Sequence, residues 1–235
     1  TTTTAITGRM LDPLVNEATV LPGTTYIYTH TLRNTGSLAD TFLLSTIATN
    51  GWRVTASPST VFLQAGETQQ IEVSVLVPAG LAAGQLDYSY LKVQALNSPQ
   101  LNATATEITT IKQFANMLLS PNQTVIVQPG QQLDLQHTLL SLGNALDSYT
   151  ITAESEQGWP ISIIVPLNGT VSLQPKASFP VMIRIQVPAN ITFGAVDRVS
   201  IVATSHFDPQ VKSSVVAVLR YPLSPEEPPE TRHYL

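Results

Sequence analysis

Along most of the chain, apolar and polar residues alternate with a period of two, the spacing that puts every second side chain on one face of a strand. In "TYIYTHTLR", Tyr26, Tyr28, His30 and Leu32 share a face. "IEVSVLVP" and "VMIRIQVP" alternate in the same way, and each stops at a proline, which has no N–H to give to a ladder. "SYLKVQAL" sets Leu91, Val93 and Ala95 against polar neighbours. Pro-Gly, Asn-Thr-Gly and Asn-Gly-Trp turns separate such runs about every 8 to 12 residues, and no window carries the 3.6-residue stripe of a helix. The pattern predicts antiparallel strands.

The strands come in two sets. "HTLRNTGSLADTF" at 30–42 returns as "HTLLSLGNALDSY" at 137–149. Gly23 aligns with Gly130, an offset of 107 residues that also pairs His30 with His137, Gly36 with Gly143, Asp40 with Asp147, Phe42 with Tyr149 and Trp52 with Trp159. After a three-residue insertion before "VSLQP" the offset becomes 110, pairing Leu63 with Leu173, Gly84 with Gly194 and Asp87 with Asp197. A repeat this long is a self-sufficient domain rather than a solenoid unit. The expected fold is all-β, with two tandem immunoglobulin-like antiparallel β-sandwiches of about seven strands each. They are placed at 1–112 and 113–222, with a Pro/Glu-rich tail at 223–235. The Thr-rich opening "TTTTAITG" reads as the end of a linker and the tail as extended chain, so a longer parent protein is expected. In the repeated phrase, Gly36 and Gly143 are expected to supply a positive φ, while Asn34, Asp40 and Asp147 bond turn amides.

"YTHTLRNTGSLADTFLLS", followed by "GW", a "VFLQAGE" turn and a strand ending "VLVPAG", resembles the bacterial Ig-like modules of secreted and surface proteins, the NEW3-type and CARDB-like repeat domains. The second copy has Ser141-Leu142-Gly143 in place of Asn-Thr-Gly. What the resemblance implies is an extracytoplasmic, non-catalytic module, extracellular or at the cell surface.

Composition narrows the partners. With 11 basic and 16 acidic residues the formal charge is -5, and the cations are scattered singly. A nucleic-acid partner, which needs a concentrated positive field, is not expected. Cysteine is absent, so neither a disulfide framework nor a thiolate metal site is available. No stretch reaches the roughly 18 to 20 apolar residues of a membrane span, and direct membrane insertion is not expected.

Candidate chemistry is sparse. His30 and His137 lie on corresponding strands, where they are expected to satisfy both ring nitrogens at the sandwich edge; His206 falls in a loop and His233 in the tail. No Gly-x-Ser-x-Gly elbow or facing carboxylate pair is evident, so no catalytic residue is assigned. Nor is any metal ligand, cofactor or phosphate loop, and Glu154-Ser155-Glu156 reads as a solvated loop. Four N-x-Ser/Thr sequons, at Asn102, Asn122, Asn168 and Asn190, are the yield of chance in so Asn- and Thr-rich a chain. Trp52 and Trp159 share the strand phase of Val54 and Ile161, which predicts core packing. The exception is a pair out of phase with the core, Tyr88 and Tyr90, whose mates are Arg198 and Ser200. They are the candidate binding residues, on the outer face of the first domain only, with an ordinary exposed pair or a tyrosine corner as the alternative. The expected role is a structural and interaction module that spaces or presents other domains of its parent protein. A carbohydrate-binding or adhesive module, contacting a surface protein or polysaccharide, and an accessory domain of a secreted hydrolase are the alternatives.

Overall fold

The computed structural model describes residues 10–224. The Thr-rich opening, the tail beyond Ser224 and His233 lie outside the described residues. The chain divides into two compact units that meet between Gln113 and Phe114. No helix forms among the described residues; each unit is a sandwich of a four-stranded and a five-stranded sheet.

In unit one the strands are β1 (Leu11–Asp12), β2 (Val15–Val20), β3 (Thr25–Arg33), β4 (Asp40–Ala48), β5 (Arg53–Ser57), β6 (Thr60–Leu63), β7 (Thr68–Leu76), β8 (Leu86–Ala95) and β9 (Asn102–Ile111). One sheet runs β1-β3-β7-β5 and the other β2-β9-β8-β4-β6. All pairs are antiparallel except β2 with β9. The first strand therefore changes sheets at Pro13-Leu14. A proline there is apt, since it cannot donate to the ladder that β1 leaves.

Unit two repeats this with β10 (Met117–Ser120), β11 (Gln123–Ile126), β12 (Gln132–Ser141), β13 (Asp147–Ser155), β14 (Ile161–Val165), β15 (Thr170–Leu173), β16 (Ser178–Gln186), β17 (Val196–Ser205) and β18 (Lys212–Arg220). Its sheets run β10-β12-β16-β14 and β11-β18-β17-β13-β15, with β11 parallel to β18. Counting the broken first strand once gives eight strands per sandwich, one more than the alternation suggested.

The period of two is visible in burial. Tyr28, His30 and Leu32 face inward on β3, and Ile71, Val73 and Val75 do so on β7, with Leu91, Val93 and Ala95 on β8. Leu135, His137 and Leu139 occupy the same inward row in unit two. Trp159 is buried as its phase predicts, whereas Trp52 only packs partly against its core. Burial of these rows supplies the main drive for folding.

The repeated turn corrects one expectation. Neither Gly36 nor Gly143 is among the glycines with positive φ. They are glycines for want of space: a Cβ on Gly36 would lie 2.9 Å from Leu101 Cδ1, and one on Gly143 would lie 2.8 Å from the Phe114 carbonyl oxygen. The left-handed position of the motif is elsewhere, at Gly66 (φ 81°) and its counterpart Lys176 (φ 67°). Both donate their N–H to the end of the same strand, Gly66 to Asn34 O at 2.9 Å and Lys176 to Ser141 O at 3.0 Å.

Candidate functional site

Tyr88 and Tyr90 stand on the outer face of β8, alternating with buried Asp87, Ser89 and Leu91. Their cross-strand partners on that face are Ile108 for Tyr88, and Ile47 and Thr106 for Tyr90. Tyr88 is 39% exposed and Ile47 55%. The corresponding face of unit two carries Glu154, Arg198 and Ser200, and Arg198 lies 3.8 Å from Glu156. Ile47, Tyr88 and Tyr90 of one unit are thus Glu154, Arg198 and Ser200 in the other, whose neighbours across the ladder, Val218 and Val216, are apolar.

The buried polar residues shared by the two copies are engaged within their own sandwiches. Asp40 Oδ1 accepts the N–H groups of Thr41 (2.7 Å) and Asn97 (3.0 Å). The Asn97 amide is the larger reason that this carboxyl lies below its ordinary value, against the opposing effect of burial. Asp147 accepts from Ser148, Phe207 and the Ser205 hydroxyl in the same way. Asp87 takes the Asn50 amide at 2.9 Å and the Ser89 hydroxyl at 2.9 Å, and Asp197 takes the Gln157 amide and the Ser155 hydroxyl. These aspartates pin the loops that enter and leave their strands.

Asn34 is the hub of the first turn. Its Oδ1 accepts from Gly36 N at 2.9 Å, and its Nδ2 donates to Leu38 O and Leu63 O. In unit two Ser141 takes its place and shares a 2.9 Å hydrogen bond with the Tyr149 hydroxyl, while Asn144 Oδ1 accepts the Phe114 amide.

The histidines are not at an edge. β3 lies between β1 and β7, and His30 and His137 are each 1% exposed. Each ring reaches the carbonyl of the proline at which the first strand changes sheets: His30 Nδ1 lies 2.8 Å from Pro13 O, and His137 Nδ1 lies 2.9 Å from Pro121 O. Each therefore clamps the crossover. They differ at the other nitrogen. His30 Nε2 lies 2.9 Å from Glu107 Oε1, with both side chains fully buried, whereas His137 Nε2 has no partner. The expectation that both nitrogens are satisfied fails for His137, because the ladder position that holds Glu107 in unit one holds Ala217 in unit two. Burial accordingly pushes the His137 imidazole below its ordinary pKa, against the raising effect of the Pro121 contact.

Around His30 and Glu107 unit one buries further polar groups. Tyr28 Oη lies 2.9 Å from Thr109 Oγ1 and donates to Ile108 O at 3.1 Å, and burial raises its phenol above the ordinary value. Tyr28, Ser89, Glu107 and Thr109 have Leu135, Val199, Ala217 and Leu219 as their counterparts. The alternation of β9 held the clue: Glu107 and Thr109 fall in phase with buried Ala105 and Ile111, where a polar residue is out of place. Both side chains of the His30 and Glu107 pair are fully buried. Among the described residues no group of three or more His, Cys, Asp or Glu side chains is placed to hold a metal ion.

No protein-family model matches the chain, and no curated protein matches it in sequence. Among solved structures it is similar to a protein of unknown function from Porphyromonas gingivalis W83, at 12% identity, covering 89% of this chain and 98% of that one, with a TM-score of 0.38. It is also similar to the periplasmic chaperone SfaE, at 10% identity over 89% and 98% of the two chains, with a TM-score of 0.36. The titin domains z1z2 from a complex with telethonin match at 13% identity over 91% and 95%, with a TM-score of 0.31. Likeness at this level carries no functional information.

Proposed function

We propose that the chain is a non-catalytic structural and interaction module of a larger extracytoplasmic bacterial protein, spacing or presenting that protein's other domains. One observation supports this reading above the rest: the buried polar side chains common to both copies, Asp40 and Asp147, Asp87 and Asp197, and one ring nitrogen of His30 and of His137, are bound to the backbone or hydroxyls of their own sandwich. What the duplication kept is the machinery of folding. The resemblance of the repeated phrase to Ig-like modules of secreted and surface proteins agrees with a place outside the cytoplasm. Replacing the segment in its parent protein by an unrelated pair of β-sandwiches is the test. Restored presentation of the flanking domains supports a spacer, and failure to restore it sinks that role.

The outer face of unit one favours a second reading, in which Tyr88 and Tyr90 contact a surface polysaccharide. Its basis is the change from Glu154, Arg198 and Ser200 to Ile47, Tyr88 and Tyr90 at the same ladder positions. Flat aromatic side chains with little rotamer freedom suit such a contact. Binding on a glycan array that disappears in Tyr88→Ala with Tyr90→Ala, at an unchanged melting temperature, is the expected outcome; binding that survives the double variant counts against it.

A further inference from the structure

We propose that the outer face of the β2-β9-β8-β4-β6 sheet of unit one is the interface at which two copies of this chain pair about a two-fold axis. One corner of that face is decisive. Phe62 on the edge strand β6, Leu43 on β4 and Leu96 just beyond β8 are 61%, 45% and 56% exposed. The ladder gathers them around Thr41, which stands opposite Phe62 and whose carbonyl accepts the Leu96 amide. Unit two has Ser172, Thr150 and His206 at the same places and ties them together: Ser172 shares a 2.7 Å hydrogen bond with Ser148, and Thr150 one of 2.6 Å with His206 Nε2. One unit thus finishes this corner for water, and the other leaves it apolar.

The far side of the face is apolar too. Ile47, Tyr90 and Val15 lie in one row across the strands, with Tyr88 beside them. Among the strand residues that point outward here, only Glu17 on β2 and Lys92 on β8 carry charge, one of each sign. In a chain of formal charge -5 this face sums to zero, so two copies meet there without net repulsion. The matching face of unit two carries Glu154, Arg198, Lys212 and Arg220, and Arg198 and Arg220 flank its outward Val218. Two copies of that face would repel.

Size agrees with a second copy as the occupant. The two longest strands of the sheet have 10 residues each. With neighbouring strands about 4.8 Å apart and a rise of about 3.4 Å per residue, the face presents roughly 600 to 800 Å². Two copies face to face bury roughly 1,200 to 1,600 Å², which is the size of a specific, stable interface. Ser45 and Lys92 stand opposite each other between the two apolar clusters. A two-fold axis across the strands therefore lays the Phe62 corner of each copy over the row of Ile47 and Tyr90 in the other. Both copies use the same patch, which closes the assembly at two instead of leaving an open chain. The pairing does not rest on what the module spaces or presents, and it competes with the polysaccharide reading for Tyr88 and Tyr90.

Sedimentation of the full chain over a range of concentrations, with no glycan or other protein present, tests this. At about 100 µM, well above a micromolar Kd, the wild type should sediment at twice the 25.3 kDa of one chain. Leu43→Thr, Phe62→Ser and Leu96→His together write the corner of unit two into unit one at exposed positions. The triple variant should weaken pairing at least about a hundredfold, with circular dichroism still showing the folded sandwiches. Ile47→Glu, a single change to the residue unit two has at that place, probes the opposite cluster and should weaken pairing as well. Ile27→Thr removes an exposed apolar residue from the outer face of the other sheet and should leave pairing unchanged. A wild type that stays monomeric, assembly beyond the dimer, pairing that survives both face variants, or pairing lost in Ile27→Thr would each overturn the proposal.

Discussion

Unit one and unit two share ladders, turns and inward rows, and differ most in what fills the space behind the histidine. Unit one places Tyr28, Ser89, Glu107 and Thr109 there; unit two places Leu135, Val199, Ala217 and Leu219. One backbone thus tolerates both a polar and an apolar solution at the same place. The polar one brings Glu107 to 2.9 Å from His30 Nε2, and the apolar one leaves His137 Nε2 without a partner. Buried polar groups are costly only to the extent that they go unpaired. The shared residue is the histidine that clamps the strand crossover, so the clamp is the common requirement and the pocket behind it is free to vary.

The largest expected effects test whether that difference is energetic. His30→Leu strands Glu107 in the interior and should destabilise unit one by about 3 to 5 kcal/mol. Glu107→Ala recreates the arrangement of unit two and should lose less, about 1 to 3 kcal/mol; equal losses in chemical denaturation would show that the pair does not behave as a buried charge. Trp159→Ala should cost about 3 to 5 kcal/mol and Trp52→Ala less, because Trp52 is only partly buried. Their ranking is read from the two melting transitions.

Next in size are the turns. Gly143→Ala drives a Cβ against the Phe114 carbonyl, whereas Gly36→Ala meets the movable tip of Leu101. A loss of about 1 to 3 kcal/mol is expected for the first and a smaller one for the second, and the reverse order in urea titrations would contradict the steric account. Lys176→Gly, which gives unit two the residue that unit one has at its left-handed position, should stabilise it by about 0.5 to 1 kcal/mol. The smallest effect is on pH. The depressed His137 pKa means that the unfolded chain binds a proton before the folded one does, so unit two loses stability as the pH falls below about 6.5. Trp159 fluorescence in a Trp52→Phe background should show that decline.

Much of this was legible along the chain. The alternation placed Tyr88 and Tyr90 on the outer face of β8 because strand geometry has a period of two and leaves no other choice. The repeat paired the turn aspartates, whose capping bonds are local. The sequence read less well where a partner comes from a distant strand. Glu107 lies 77 positions after His30, and only the packing of one sheet on the other brings their side chains to 2.9 Å. Gly36 misled for a related reason: its constraint is Leu101, beyond the turn in which local rules look for a backbone cause.

By itself, then, the order of residues determined the strands, the duplication and the faces, since each depends on spacing along one segment of chain. The tertiary structure decided which buried polar groups find partners and which glycines are needed for room. Those are properties of contacts across the sandwich, where two side chains far apart in sequence compete for one small dry space.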